Sequence, residues 1–257
     1  MLESSQPLLR NFWYLALPGA KLARGRTLAV SLLGEPVLLC RGDDGQVFAL
    51  RDICPHRGIP LSHGSFDGRE VACCYHGWRF ARDGHCTAIP SLTPDQEVAV
   101  ARIRCGAFPC REVQGNLWVY LPEKSARLPR ADIEDLPPVP ELPGFGDPAP
   151  LGWRMKRHRL PPENRVYRLL GQEVTTEITY ALPGLRIELI EGDRHKAASL
   201  TAITPLNERE TLVQQALYWT LPWTAPLRPL ARYLANVFLT QDRRVVDMQQ
   251  EGLAHDP

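Results

Sequence analysis

Four residues stand apart for the chemistry they could do together. Cys54-Pro55-His56-Arg57-Gly58 is followed by Cys73-Cys74-Tyr75-His76-Gly77-Trp78, with sixteen residues between His56 and Cys73. The pattern is C-x-H and then C-x-x-H. Two thiolates can hold one iron while two imidazoles hold the other, which describes a [2Fe–2S] cluster of mixed ligation. Two neutral imidazoles in place of two anionic thiolates raise the reduction potential above that of an all-cysteine cluster, so the chemistry is one-electron transfer. Zinc also takes Cys and His, but its usual spacings, C-x₂₋₄-C and H-x₃₋₅-H, fit these residues poorly.

Within the Cys73-Cys74 pair the spacing selects Cys73, since Cys74 would leave a single residue before His76. Cys74 is expected as a neighbouring thiol packed inward. Gly58 and Gly77 follow the two ligand pairs and let the backbone turn around the metal. Backbone N–H groups in such loops can donate to the cluster sulfurs and tune the potential.

The elements that must position these loops read as strands. Over 27–122 short apolar runs at 27–33, 36–40 and 47–53 are separated by Asp44-Gly45, Asp67-Gly68 and Asp83-Gly84, pairs that suit tight hairpins. Gln114-Gly115-Asn116 leads into a further strand at 117–120. Regular strands with such turns suggest a small β-sandwich or barrel. From 123 to 150 Pro137, Pro138, Pro140, Pro143, Pro148 and Pro150 crowd a stretch that reads as an extended linker. Strand-like runs resume at 173–180, 185–190, 197–203 and 211–218. An amphipathic pattern over 226–250 then places Leu230, Leu234, Phe238, Asp242 and Val245 on one helical face. The expected organisation is an all-β domain at 1–122, a linker at 123–150, and an α+β domain at 151–257: a curved antiparallel sheet with a long C-terminal helix, helix-grip-like.

The two loops and their surroundings, CPHRGIPLSHG at 54–64 and YHGWRFARDGHCTAIP at 75–90, resemble the Rieske domain of the Rieske non-haem iron oxygenases. Asn11-Phe12-Trp13-Tyr14-Leu15-Ala16 is similar to the entry strand of the single-component branch, which includes ring hydroxylases, O-demethylases and pheophorbide-type oxygenases. The respiratory Rieske proteins carry an extra cysteine in each cluster loop, joined as a disulfide. Ile59 and Tyr75 stand at those positions here, and Trp78 follows the second loop as in the oxygenase type. The resemblance therefore implies a lower potential than the respiratory type and a cluster fed by an NAD(P)H-dependent reductase or ferredoxin.

The same resemblance implies a mononuclear non-haem Fe(II) in the second domain, held by two His and one carboxylate. The family draws its two His from a segment close to D-x-x-H-x₄-H, and that segment is absent. His63, His85, His158, His195 and His255 lack the spacing, and His158 and His195 sit among basic residues; each reads as a surface or strand histidine. Asp242 lies on the apolar helical face, in a stretch (238–246) similar to the one that donates the third iron ligand. A helix-edge Asp paired with a neighbouring Arg explains it as well. The runs at 173–179, 182–188 and 201–205 also resemble the family. A block expected near 145–151 is missing, and with it the residues that pass electrons between subunits of the family's homotrimers.

Composition narrows the partners. Thirty Lys and Arg face 29 Asp and Glu in 257 residues, which gives no electrostatic case for nucleic acid or an anionic membrane. No signal-peptide order and no run of about 20 apolar residues is found, so a cytoplasmic location is expected. Seven cysteines, an odd and unevenly spaced set, read as reduced thiols with a subset on metal; a Cys105–Cys110 disulfide is disfavoured in a reducing compartment. Trp153, Tyr167, Tyr180, Tyr218, Trp219 and Trp223 could line an apolar pocket or fill sheet core. Two functions are expected to compete: an oxygenase acting on a small apolar or aromatic substrate, and an electron-transfer or accessory protein with an iron-free second domain.

Overall fold

The computed structural model describes residues 8–93, 95–124, 128–140, 152–154, 157–159, 170–171, 173–208 and 210–221, with single positions 229, 233 and 240. It is built from antiparallel strands. The first part runs β1 (Phe12–Pro18), β2 (Arg26–Leu32), β3 (Glu35–Arg41), β4 (Val47–Arg51), β5 (Ser65–Phe66), β6 (Val71–Ala72), β7 (Arg79–Phe80), β8 (Cys86–Ala88), β9 (Ala107–Phe108), β10 (Cys110–Val113) and β11 (Asn116–Leu121). These make three sheets, ordered β1-β11-β10, β2-β3-β4-β9 and β5-β6-β7-β8. The second part is one sheet, β12 (Gly152–Arg154) followed by β14 (Thr175–Ala181), β15 (Leu185–Glu191), β16 (Lys196–Pro205) and β17 (Thr211–Trp219), with β13 (His158–Arg159) pairing β14. The fold class read from the sequence is met by these strands. Of the expected C-terminal helix, Pro229, Tyr233 and Thr240 are described, each helical and exposed; Asp242 lies outside the described residues.

The turns explain the register. In each Asp-Gly pair only the glycine takes positive φ, at 86°, 90° and 82° for Gly45, Gly68 and Gly84. The aspartates serve otherwise: Asp44, Asp67 and Asp83 each accept from the backbone N–H two residues on, at Gln46, Arg69 and His85. These are side-chain-closed turns. The β2–β3 hairpin turns through Leu33 and Gly34, both at positive φ (52° and 75°), and no sequence signal marks a leucine for that conformation. Leu33 is held there because its side chain is buried in the core beside Leu17 and Leu22.

Strand β1 separates two cores. Tyr14, Ala16 and Leu17 enter one, with Leu39, Leu117 and Val119. Trp13 and Leu15 enter the other, with Trp118, Leu185, Ile187 and Leu200 from the second sheet. Strict alternation would send Leu17 the same way as Leu15. A register shift between Leu15 and Leu17 against β11 prevents this, as a bulge does. It also frees carbonyls: Leu15 O accepts from Thr204 Oγ1 (3.1 Å) and Gln214 Nε2 (2.9 Å), and Ala16 O accepts from Gln214 Nε2 (3.2 Å). The sheets are thus joined by hydrogen bonds as well as by burial. The proline-rich residues 128–140 carry no strand or helix; Pro137 O accepts from Trp13 Nε1 (2.7 Å), and Val139 is buried in the same core.

Candidate metal centre

The two C-x-H and C-x-x-H loops are built alike. In the first, Cys54 N donates to Ile59 O (2.8 Å) and Gly58 N to Cys54 O (2.9 Å). In the second, Cys73 N donates to Trp78 O (2.9 Å) and Gly77 N to Cys73 O (3.0 Å). Each loop therefore closes from the cysteine to the fourth and fifth residues beyond it, and each needs a left-handed residue to do so. Gly58 and Gly77 supply it at φ 72° and 69°, where a side chain would be strained. At Gly77 a Cβ would also lie 3.2 Å from Pro90 Cγ.

The loops set the four candidate side chains in two pairs, thiols inside and imidazoles outside. Cys54 and Cys73 are buried at 2% and 4% exposure among Leu38, Leu61, Val71 and Phe80, with the two thiols as neighbours. Burial pushes the Cys54 thiol up to about 11, opposed by the His56 and Arg57 backbone N–H groups and reinforced by Cys73. His56 and His76 are exposed, with Nδ1 atoms 3.1 Å apart. Desolvation beside its neighbour, and then the charges of His76 and Arg57, hold the His56 imidazole below its ordinary pKa. Two nitrogens bound at about 2.0–2.1 Å to one tetrahedral metal would sit about 3.4 Å apart, so the Nδ1 pair is spaced to share one ion.

This donor set fits a binuclear cluster. Among the described residues no three His, Cys, Asp or Glu side chains converge on one point. A mononuclear zinc needs three or four protein ligands; a mixed-ligand [2Fe–2S] cluster needs two per iron.

Neighbouring residues fix the loops. The Trp78 ring stacks on His56, with centroids 4.6 Å apart and planes 3° from parallel. Tyr75 tilts against His76 at 3.8 Å. Asp52, buried two residues before Cys54, accepts from Ser62 N and Ser62 Oγ, both at 2.7 Å, which ties the first loop to the turn at Leu61–His63. No spacing rule singles out Asp52 or Ser62, because their pairing crosses ten residues of irregular chain. Ile59 packs against the thiol-side core and Tyr75 is 56% exposed.

One expectation is corrected. Cys74 is exposed, not packed inward: the turn that points Cys73 into the core directs its neighbour outward. The remaining cysteines, Cys40, Cys86, Cys105 and Cys110, are free thiols. His63 is exposed, and His85 pairs with Asp83. The side chain of His158 lies outside the described residues, and His195 is part-buried in a turn. Among the aromatic candidates, Tyr218 donates to Gln114 O (3.0 Å), and Tyr180 is 41% exposed.

Residues 12–108 match the Rieske [2Fe-2S] domain family. The chain carries a Rieske domain. Beyond it, the relatives are oxygenases. Chlorophyllide a oxygenase of Chlamydomonas reinhardtii is 41% identical over 143 residues, 54% of this chain and 21% of that protein. The oxygenase subunit of 3-chlorobenzoate-3,4-dioxygenase from Comamonas testosteroni is 35% identical over 133 residues, 51% of this chain and 31% of that protein. The matched part thus spans a fifth to a third of these relatives. Apo dicamba monooxygenase shares the fold over 93% of this chain and 85% of its own, at a TM-score of 0.71 and 21% identity. About half of the chain is thus similar in sequence to oxygenases that contain a Rieske domain, and nearly all of it shares the fold of dicamba monooxygenase. No described helix is long and apolar enough to cross a membrane.

Proposed function

We propose that Cys54, His56, Cys73 and His76 hold the [2Fe–2S] cluster, and that the protein passes electrons from an NAD(P)H-dependent reductase or ferredoxin toward O₂ activation on a small apolar or aromatic substrate. The observation that carries this reading is the pairing of Cys54 with Cys73 inside and of His56 with His76 outside by two equivalent loops, with the Nδ1 pair at 3.1 Å. A Rieske cluster held there supplies one-electron transfer at a potential raised by its imidazole ligands. The chain's own contribution is a dry end and a wet end. Cys54 and Cys73 exclude water from the thiolate side. His56 and His76, with their Nδ1 atoms facing each other, would leave their other ring nitrogens to take up or release a proton as the charge changes. We further propose the division at 122 and 150 and a cytoplasmic location, both as read from the sequence, and a homotrimer as the family resemblance implies.

The second reading is a Rieske electron carrier whose second domain holds no iron. It is favoured by the lack of a His pair at the family's spacing. Asp242 remains the candidate carboxylate of a mononuclear site, which the described residues do not assemble.

Iron and acid-labile sulfide on anaerobically purified protein test both readings. Equal amounts mean a cluster alone and the carrier reading. Iron in excess of sulfide, with reductase-driven O₂ uptake, means the oxygenase. Neither iron nor sulfide overturns the ligand assignment.

A further inference from the structure

A recess of about 250 Å³ opens between β4, β9 and the chain that leaves β11. Four cationic and two anionic side chains line it, beside an apolar wall that includes Leu128 and Ile133. Arg10 is committed: it donates to Glu35 Oε1 (3.0 Å) and to Pro122 O (3.2 Å). Arg51 is not. Its Nε is sealed from solvent and meets no acceptor among the described residues. A guanidinium stays charged at any ordinary pH, and a buried donor without an acceptor is costly. Lys124, exposed at the rim, likewise has no ion pair among the described residues.

We infer that this recess binds a small carboxylate with a hydrocarbon tail, its head on the outer edge of the Arg51 guanidinium and its tail against Leu128 and Ile133. A planar carboxylate matches the guanidinium fork. A phosphate would bring more charge beside Glu35 and Glu123 and would leave the apolar wall uncovered. The site stands apart from the metal centre, and the inference does not depend on the function proposed above.

Calorimetric titration of the full, cluster-loaded chain tests it, with hexanoate as the probe and hexanamide and inorganic sulfate as controls. Hexanoate is expected to bind at least about tenfold tighter than either control. Arg51→Gln should weaken hexanoate about tenfold or more, and Lys124→Gln a few-fold at most. Leu128→Trp, which narrows the recess without changing its charge, should also weaken it. Unchanged visible absorption and far-UV circular dichroism show that the variants are folded. Absence of hexanoate binding, sulfate binding as tight as hexanoate, or hexanoate binding undiminished in Arg51→Gln overturns the inference. Should Arg51→Gln fail to fold, undiminished binding in Leu128→Trp overturns it equally.

Discussion

The Trp78 ring lies flat on the His56 imidazole, 4.6 Å away and 3° from parallel. An exposed imidazole on a loop can rotate, and a stacked neighbour restricts it. An aromatic pair contributes about 0.5–1.5 kcal/mol beyond its buried area. Trp78→Ala should therefore leave the cluster able to form but bleach it up to about tenfold faster in air. Trp78→Phe should fall between. Visible absorption against time is the measurement, and identical decay in all three proteins would show that the stack does not steady the site.

The ligand assignment makes a sharper forecast. Cys54→Ser, His56→Ala, Cys73→Ser and His76→Ala should each abolish the cluster's visible absorption, while Cys74→Ser should retain it. The exposure of Cys74 gives this last variant a further readout: wild-type protein should react with a thiol reagent at a position that Cys74→Ser lacks.

The bulge in β1 predicts where the two halves are most easily separated. Gln214 donates to both Leu15 O and Ala16 O. Gln214→Leu removes these donors and leaves part-buried carbonyls short of partners, at a cost of about 1–3 kcal/mol. Urea unfolding should show a lowered midpoint with little change in slope. A midpoint equal to wild type would mean that water replaces the amide.

Tyr14 predicts an alkaline limit. Its hydroxyl donates to Leu9 O (2.5 Å), and burial, opposed by the charge of Arg10, pushes it from its ordinary value of about 10 up to about 12. The folded state holds this proton more tightly than the unfolded state does. The stability it contributes is complete below about pH 10 and is lost as pH rises toward about 12. Tyr14→Phe should unfold less steeply over that window, and equal slopes would exclude Tyr14 as a source of the loss.

How much was legible beforehand follows from chain distance. The four cluster residues and their turn glycines lie within two short stretches, so their types and spacing are enough to name the chemistry. The Asp-Gly turns are local too, although the reason for Asp proved to be its side-chain acceptor and not its own backbone. What stayed hidden depends on tertiary packing. Leu33 adopts positive φ because a core holds it. Cys74 points outward because Cys73 points in. Asp52 meets Ser62 across an irregular loop. Thr204 reaches a carbonyl 189 residues away, exposed by a bulge. None of these leaves a periodic trace.

The two-sided burial of β1 has a consequence for how the chain is made. It is translated before every strand that covers it: it pairs with β11 at Asn116–Leu121, and the face of Trp13 and Leu15 shares its core with Trp118, Tyr120 and Val139 and then with residues from 185 onward. Contacts so distant in sequence form late and slow folding. Until residues 185–202 are made, the buried residues beside Trp13 and Leu15 in that core are Trp118, Tyr120 and Val139. A strand made before all its partners is therefore among the last to be fully enclosed, and nascent chains halted before residue 185 should leave part of that apolar strip open to any holding chaperone.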